Sequence, residues 1–435
     1  MKQPLELNAD FQEALNELEK TAKNLFITGR AGTGKSTLLH VFRSTTRKKC
    51  IVLAPTGVAA LNVGGQTIHS FFGFPAKFFG PEDIKKRRDT RLYRNMEVLI
   101  IDEISMVRAD MIDHIDRFLR INRENPKPFG GVQVVFFGDL FQLPPVVATP
   151  EEQNYFQTYY VSPYFFSAKI FQPDHFNSEP FTLEGLELSK IYRQENRHFI
   201  RLLDAVRLNQ IDYDDLDDLN ARHMPSFNEK DYFVTLSPRN AVVDEINRRE
   251  LGNLYTETFT YLADITGIFD EKQYPTEGAL KLKMGAQVMF IKNDVVKKEY
   301  VNGTIGKIIR LEHDKIVVQV IENDGTLKNI DVEKQSWEIL RYKLGEDTSK
   351  IDTDTIGSFK QYPLRLAWAI TIHKSQGKTF DKVIIDLTGG AFEHGQTYVA
   401  LSRCRTLEGI VLKQKIRPND IKVDDIIVEF YEQNF

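Results

Sequence analysis

Residues 29–37 read GRAGTGKST, and the chemistry that this spacing serves is the binding of a nucleoside triphosphate. The glycines let backbone N–H groups close around a β-phosphate, and the positive end of the following helix adds to the attraction. Lys35 supplies a point charge for the β- and γ-phosphates and Ser36 a hydroxyl for Mg²⁺, with Gly29, Gly32, Thr33, Gly34 and Thr37 completing the cradle. The context agrees: NLFIT leads in as a buried strand, and the amphipathic TLLHVF leads out as a helix.

Such a cradle needs a metal-orienting acid at the end of a neighbouring strand. VLIIDEISM, 98–106, supplies Asp102 to hold Mg²⁺ and Glu103 to polarise the attacking water. A third apolar strand, VQVVFFGD at 132–139, runs into LFQLPPV. Gln142 there is placed to hydrogen-bond a γ-phosphate and report its loss, while Pro144 and Pro145 stiffen the exit.

The elements that must carry these groups form a doubly wound α/β lobe over 1–183, opened by the helix NADFQEALNELEKTA. Its motifs alone leave a motor, a switch and a kinase all open. The chain has 435 residues, too many for one ordinary core. Its 42% apolar and 27% charged residues fit a folded, water-soluble protein, and no stretch approaches twenty apolar residues. Two cysteines without a CxxC argue against a zinc or disulfide framework. A formal charge of −4 excludes a uniformly basic coat but not a local basic groove.

Farther on, AWAITIHKSQGKTFDKVIID at 367–386 and YVALSRCRTLEG at 398–409 read as further active-site loops flanking a strand. Arg403 has the character of an arginine finger supplied by a second lobe, worth about 10³–10⁵ in turnover.

The ordered set GRAGTGKS, APTGVAALNVGGQTIHSFF, IDEISM, FGGVQVVFFGDLFQLPPV, IYRQ, AITIHKSQGKTFD and YVALSRCR resembles superfamily 1, subgroup B helicases. Within them it is similar to the PIF-type (petite integration frequency) DNA helicases, and SMVRADMIDHIDRFLR to FGGVQVV is similar to that family's signature segment. The resemblance covers 5–417. It implies two RecA-like lobes, ATP and Mg²⁺ as cofactors, and 5′→3′ translocation on single-stranded DNA. It further implies unwinding of partial duplex, forked and G-quadruplex DNA, with roles in repair, recombination and telomere maintenance. Lys35, Ser36, Asp102, Glu103, Gln142, Arg193, Gly377 and Arg403 match the residues around ATP, with Arg193 a second γ-phosphate arginine. Gln12 matches the adenine-reading glutamine only loosely. Cys404 stands where relatives often carry a small apolar residue.

The same resemblance assigns DNA contacts to Thr56, Val58, His69, Phe72 and Pro144 in the first lobe, and to Thr371, His373, Lys374 and Ser375 in the second. The second lobe is expected over 184–241 and 366–417. An insertion over 242–365 would contain an antiparallel SH3-like β-barrel at 281–343, turned at Asp324-Gly325. The polar 344–360 reads as a flexible connection and 418–435 as a tail. In HSFFGFPAKFFG, Phe71 and Phe72 continue the TIHSFF motif, the first packing in the core and the second facing either core or base, while Phe74 to Phe79 with the basic run Lys85–Arg94 read as a wedge-like insertion over 73–95. The short N-terminus suggests a minimal bacterial core. The expectation is a free monomer in the cytoplasm (bacterial nucleoid; nuclear or mitochondrial in a eukaryote), without membrane contact.

Overall fold

A computed structural model describes residues 8–75, 77–172, 181–227, 231–322, 324–345 and 350–435. The chain divides into two compact units. One contains 1–192, 339–356 and 424–435, and the other 193–338 and 357–423.

The first unit is built on a six-stranded sheet whose order is Gln66–Thr67, Cys50–Ala54, Val98–Ile101, Gln133–Phe137, Leu25–Gly29 and Glu184–Leu188, with every pairing parallel. The apolar runs VLII and QVVFF are buried along their whole length, as strands covered on both faces must be. Helix Ala9–Lys20 is capped by Asn8 and buries Phe11, Ala14 and Leu18. These pack with Leu38, Leu39 and Phe42 of helix Lys35–Thr45 and with the central strands, so the cradle between them rests on a filled core.

Two expected boundaries move. Glu184–Leu188 pairs in register with the strand before the cradle, from Leu25↔Glu184 to Gly29↔Leu188, so the first unit runs past 183. Residues 418–435, expected as a C-terminal tail, contain the helix Asp425–Asn434. Phe430 stacks on Phe166 at 4.2 Å and Tyr431 donates to Glu187 at 2.6 Å. Gly185 permits this approach, because a Cβ there would stand 2.6 Å from the Phe435 ring.

The second unit carries a smaller parallel sheet in the order Ala369–Thr371, Val234–Ser237, Val383–Ile385, Ile410–Leu412. Beside it lies a five-stranded antiparallel sheet, Leu327–Val332, Ile316–Ile321, Ile305–Leu311, Gln287–Phe290 and Leu364–Leu366. A separate pair, Thr258–Leu262 with Ala279–Lys283, shares its core through Tyr261, Leu280 and Leu282. Among the described residues no strand pairing closes these into a barrel. The polar 344–360 is not a flexible connection where it is described, because Ile351–Gln361 is a strand. Its Gly357–Lys360 pairs with Asp264–Gly267, and Phe359 is buried between Trp337 and Tyr274. Among the described residues no helix is long and apolar enough to cross a membrane.

Candidate nucleotide site and nucleic-acid interface

In the first unit the phosphate cradle follows the carboxyl end of the strand Leu25–Gly29. Gly34 caps the helix Lys35–Thr45 with φ of 90°, and a Cβ there would lie 2.9 Å from Phe11, so conformation and space both require glycine. Gly29 and Gly32 also have positive φ. The Thr33 hydroxyl donates to the Arg30 carbonyl at 2.9 Å, tightening the loop from within. The Lys35 amine donates to the carbonyls of Gly29 at 2.5 Å and Arg30 at 3.1 Å, which centres its charge over the loop. Ser36 and Thr37 stand exposed in the first helical turn, and Gln12 is exposed on its own helix.

Asp102 and Glu103 end the strand Val98–Ile101. Burial, and then the charge of Glu103, push the Asp102 carboxyl up to about 7, with Lys35 opposing the shift. Glu103 has φ of 51°, a left-handed conformation that an L-residue adopts at a cost of about 1–2 kcal/mol. Gln142 is buried, and its amide donates to Asp139 at 3.2 Å. Asp139 also accepts the Phe141 N–H. Sequence reasoning passed over Asp139, although a carboxylate two residues past a mostly apolar strand was a visible signal.

Among the described residues no group of three His, Cys, Asp or Glu stands ready to hold a metal. Ser36 and Asp102 fit Mg²⁺, which binds through few protein ligands and takes the rest from phosphate and water.

In the second unit Arg193 donates to the Ser402 carbonyl at 3.1 Å, and Gln194, a second residue the sequence did not single out, donates to Ser402 and Cys404. Arg403 is 1% exposed and donates to the Val399 carbonyl and the Ser402 hydroxyl. Burial, and then the charge of Arg403, push Arg193 down to about 9. Two guanidinium groups are therefore held together in a poorly solvated place, which favours an anion beside them. Gly377 has φ of 72° directly after the His373–Ser375 turn.

The expected DNA contacts separate into accessible and inaccessible side chains. Thr56 is exposed and caps a short helix by accepting the Ala59 N–H, and Val58 is exposed beside it. Thr371 makes the matching cap in the second unit, accepting the Lys374 N–H. Lys374 is exposed, Pro144 is half-buried, and His373 pairs with Glu393 at 3.2 Å. His69 is half-buried, and burial, then the charge of Arg108, lower its pKa.

Two side chains are corrected. Phe72 is 0% exposed, edge-on to Phe71 and Phe118 and stacked on Phe74, so its ring packs in the core and meets no base. Ser375 is likewise 0% exposed, and its hydroxyl donates to the Ile372 carbonyl.

The basic run is also less available than its composition suggests. Lys86 and Arg94 pair with Glu124, and Arg91 pairs with Asp89. Arg87 caps the Phe72 carbonyl and lies over the Phe118 ring. Much of the charge thus fastens the insert to helix Ala109–Arg123.

Comparison with known proteins places this arrangement. Residues 6–216 match the family model of the PIF1-like helicases, and 271–311 match the DNA helicase Pif1 2B domain. A bacterial relative, the ATP-dependent DNA helicase Pif1 of Bdellovibrio bacteriovorus, is 33% identical over 99% of this chain and 92% of its own. This chain belongs to the PIF1-like helicase family. The rat ATP-dependent DNA helicase PIF1 is also 33% identical, over 97% of this chain but 63% of its own length, so the chain spans less than two thirds of that relative. The crystal structure of a Bacteroides sp. Pif1 in complex with ADP-AlF4 matches with a TM-score of 0.89 at 40% identity, covering 99% of this chain and 97% of that one. The two parallel sheets are accordingly the RecA-like lobes of a PIF1-like helicase.

Proposed function

We propose that the chain is an ATP-dependent DNA helicase, translocating 5′→3′ on single-stranded DNA and opening partial duplex, forked and G-quadruplex DNA. The observation that carries the reading is the buried pair Arg193 and Arg403, joined through Ser402. A switch that only binds nucleotide has no need of two such cations in a second lobe. The relatives, themselves ATP-dependent DNA helicases, support the same reading.

In this reading the cradle and Lys35 hold the ATP phosphates, while Ser36 and Asp102 hold Mg²⁺. The bound ion neutralises phosphate charge. Glu103 orients and deprotonates the attacking water, Gln142 senses the γ-phosphate from its place on Asp139, and Arg193 and Arg403 stabilise the charge that develops on it. Gln12 and Gly377 complete the nucleotide contacts. Thr56, Val58, His69 and Pro144 in one lobe, with Thr371, His373 and Lys374 in the other, track the DNA backbone. Phosphate contacts then give grip without sequence preference. The segment 73–95 acts as the strand-separating wedge. The helicase works as a monomer in the cytoplasm.

Strand displacement on 5′-tailed and 3′-tailed duplexes with ATP tests this. Unwinding confined to the 5′-tailed substrate is expected. Hydrolysis stimulated by single-stranded DNA without displacement of either substrate would overturn it.

A further inference from the structure

Arg108 stands five residues beyond Glu103, at the cap of helix Ala109–Arg123. Its guanidinium makes two hydrogen bonds to Asp110, at 3.0 and 2.7 Å, and a third to Glu152. Glu152 in turn accepts the N–H groups of Ala148 and Thr149 and closes a capping box at the start of helix Pro150–Tyr159. Arg108 therefore fixes the first turns of two helices at once. Its side chain is only 18% exposed and the Asp110 side chain 1%.

The same guanidinium faces two aromatic rings. Its central carbon lies 5.8 Å from the centroid of Phe78 and 5.5 Å from that of Phe156. Phe78 also packs edge-on against Tyr155 at 5.0 Å, and Phe79, next to it, lies 4.5 Å from the His114 ring. The rings of the aromatic insert thus rest on helix Ala109–Arg123 and helix Pro150–Tyr159, with Arg108 where they meet. A planar guanidinium can bind carboxylates along its edge while rings lie against its faces, which a lysine ammonium cannot do.

We propose that Arg108 is a positioning residue that ties the aromatic insert to the turn carrying Asp102 and Glu103, so that events at the nucleotide are transmitted to strand separation. The inference rests on the helicase reading above. Only five residues, with a single 3₁₀ turn at Ile104–Met106, separate Asp102 from Arg108, and that turn is buried at Ile104 and Ser105. A displacement of the acidic turn has a short, packed route to Phe78.

The test is Arg108→Gln, which keeps length and polarity but loses the charge, the fork and the ring contacts. Thermal melting, ATPase stimulated by single-stranded DNA, and base pairs opened per ATP on a 5′-tailed duplex are measured together. Stimulated ATPase within about twofold of the parent is expected, with base pairs per ATP falling about tenfold or more, since small displacements of a working group carry large rate costs. Phe78→Leu should lower the same ratio, the double variant should fall no further, and Arg108→Lys should not restore it. An unchanged ratio in Arg108→Gln overturns the inference, as does a parallel fall of melting temperature, ATPase and unwinding. Should Arg108→Gln not fold, an unchanged ratio in both Phe78→Leu and Phe156→Leu overturns it equally. A parent chain that hydrolyses ATP on DNA and opens no duplex overturns the helicase reading instead.

Discussion

The side-chain amide of Gln142 is held by Asp139 at 3.2 Å, three residues back along the chain, and both groups are buried. A glutamine so fixed presents its second amide N–H in one direction without an ordering cost during catalysis. Asp139→Ala is expected to lower the ATP turnover rate about tenfold while leaving KM for ATP within a few-fold, because orientation rather than ground-state binding is lost. Steady-state kinetics with saturating single-stranded DNA would show it. A variant with parental turnover would mean that Gln142 is positioned by other contacts.

Glu103 combines a strained backbone with a charge next to Asp102. Glu103→Gly relieves both, and the protein should gain roughly 1 kcal/mol in denaturant unfolding while losing nearly all hydrolysis. Loss of stability in that variant would show that the Glu103 side chain, and not its conformation, dominates locally.

Arg403→Ala removes one of two adjacent cations, so folding should survive. Hydrolysis should fall by about 10³-fold or more, with binding of a fluorescent ATP analogue largely retained. Near-parental turnover would place the γ-phosphate contact with Arg193 alone.

Phe72→Ala cuts a ring from a cluster formed with Phe71, Phe74 and Phe118. A cost of about 3–5 kcal/mol in unfolding is expected, with DNA affinity of the folded fraction unchanged. Weaker DNA binding at undiminished stability would return this ring to the DNA surface.

Lys378 supplies a pH signature. Burial, and then the charges of Arg365 and Arg403, push its amine from the ordinary lysine range down to about 8. The unfolded chain keeps that proton to higher pH, so between about 8 and 10.5 the unfolded state binds more protons and this group's contribution to stability rises with pH. Below 8 both states are charged and the folded state carries the full cost. Lys378→Met should therefore raise the melting temperature at pH 7, and its advantage over the parent should shrink by pH 9.5. An advantage that grows with pH would reverse the sign of the interaction.

The chemistry of the nucleotide site was legible in the linear chain because it depends on short-range spacing. A strand, a glycine loop and a helix with Lys35 and Ser36 at its start are local, and so is an apolar run ending in Asp102 and Glu103. Both RecA-like sheets could be anticipated for the same reason, since strands buried on both faces are apolar throughout. Tertiary structure decided where neighbours distant in sequence compete for a side chain. Phe72 and Phe78 look alike in HSFFGFPAKFFG, yet one is enclosed by Phe118, forty-six residues later, and the other lies against Arg108 and Tyr155. The run KKRRDTR reads as free positive charge until Glu124 and the Phe72 carbonyl take up much of it. Ile351–Gln361 is polar because its outward side chains meet water, and it is a strand because Asp264–Gly267 supplies the hydrogen bonds that its own sequence cannot. Residue types and spacing determined which chemistry this protein carries. Long-range packing determined which of its rings and charges remain free to use, because burial and pairing are set by partners that no local pattern encodes.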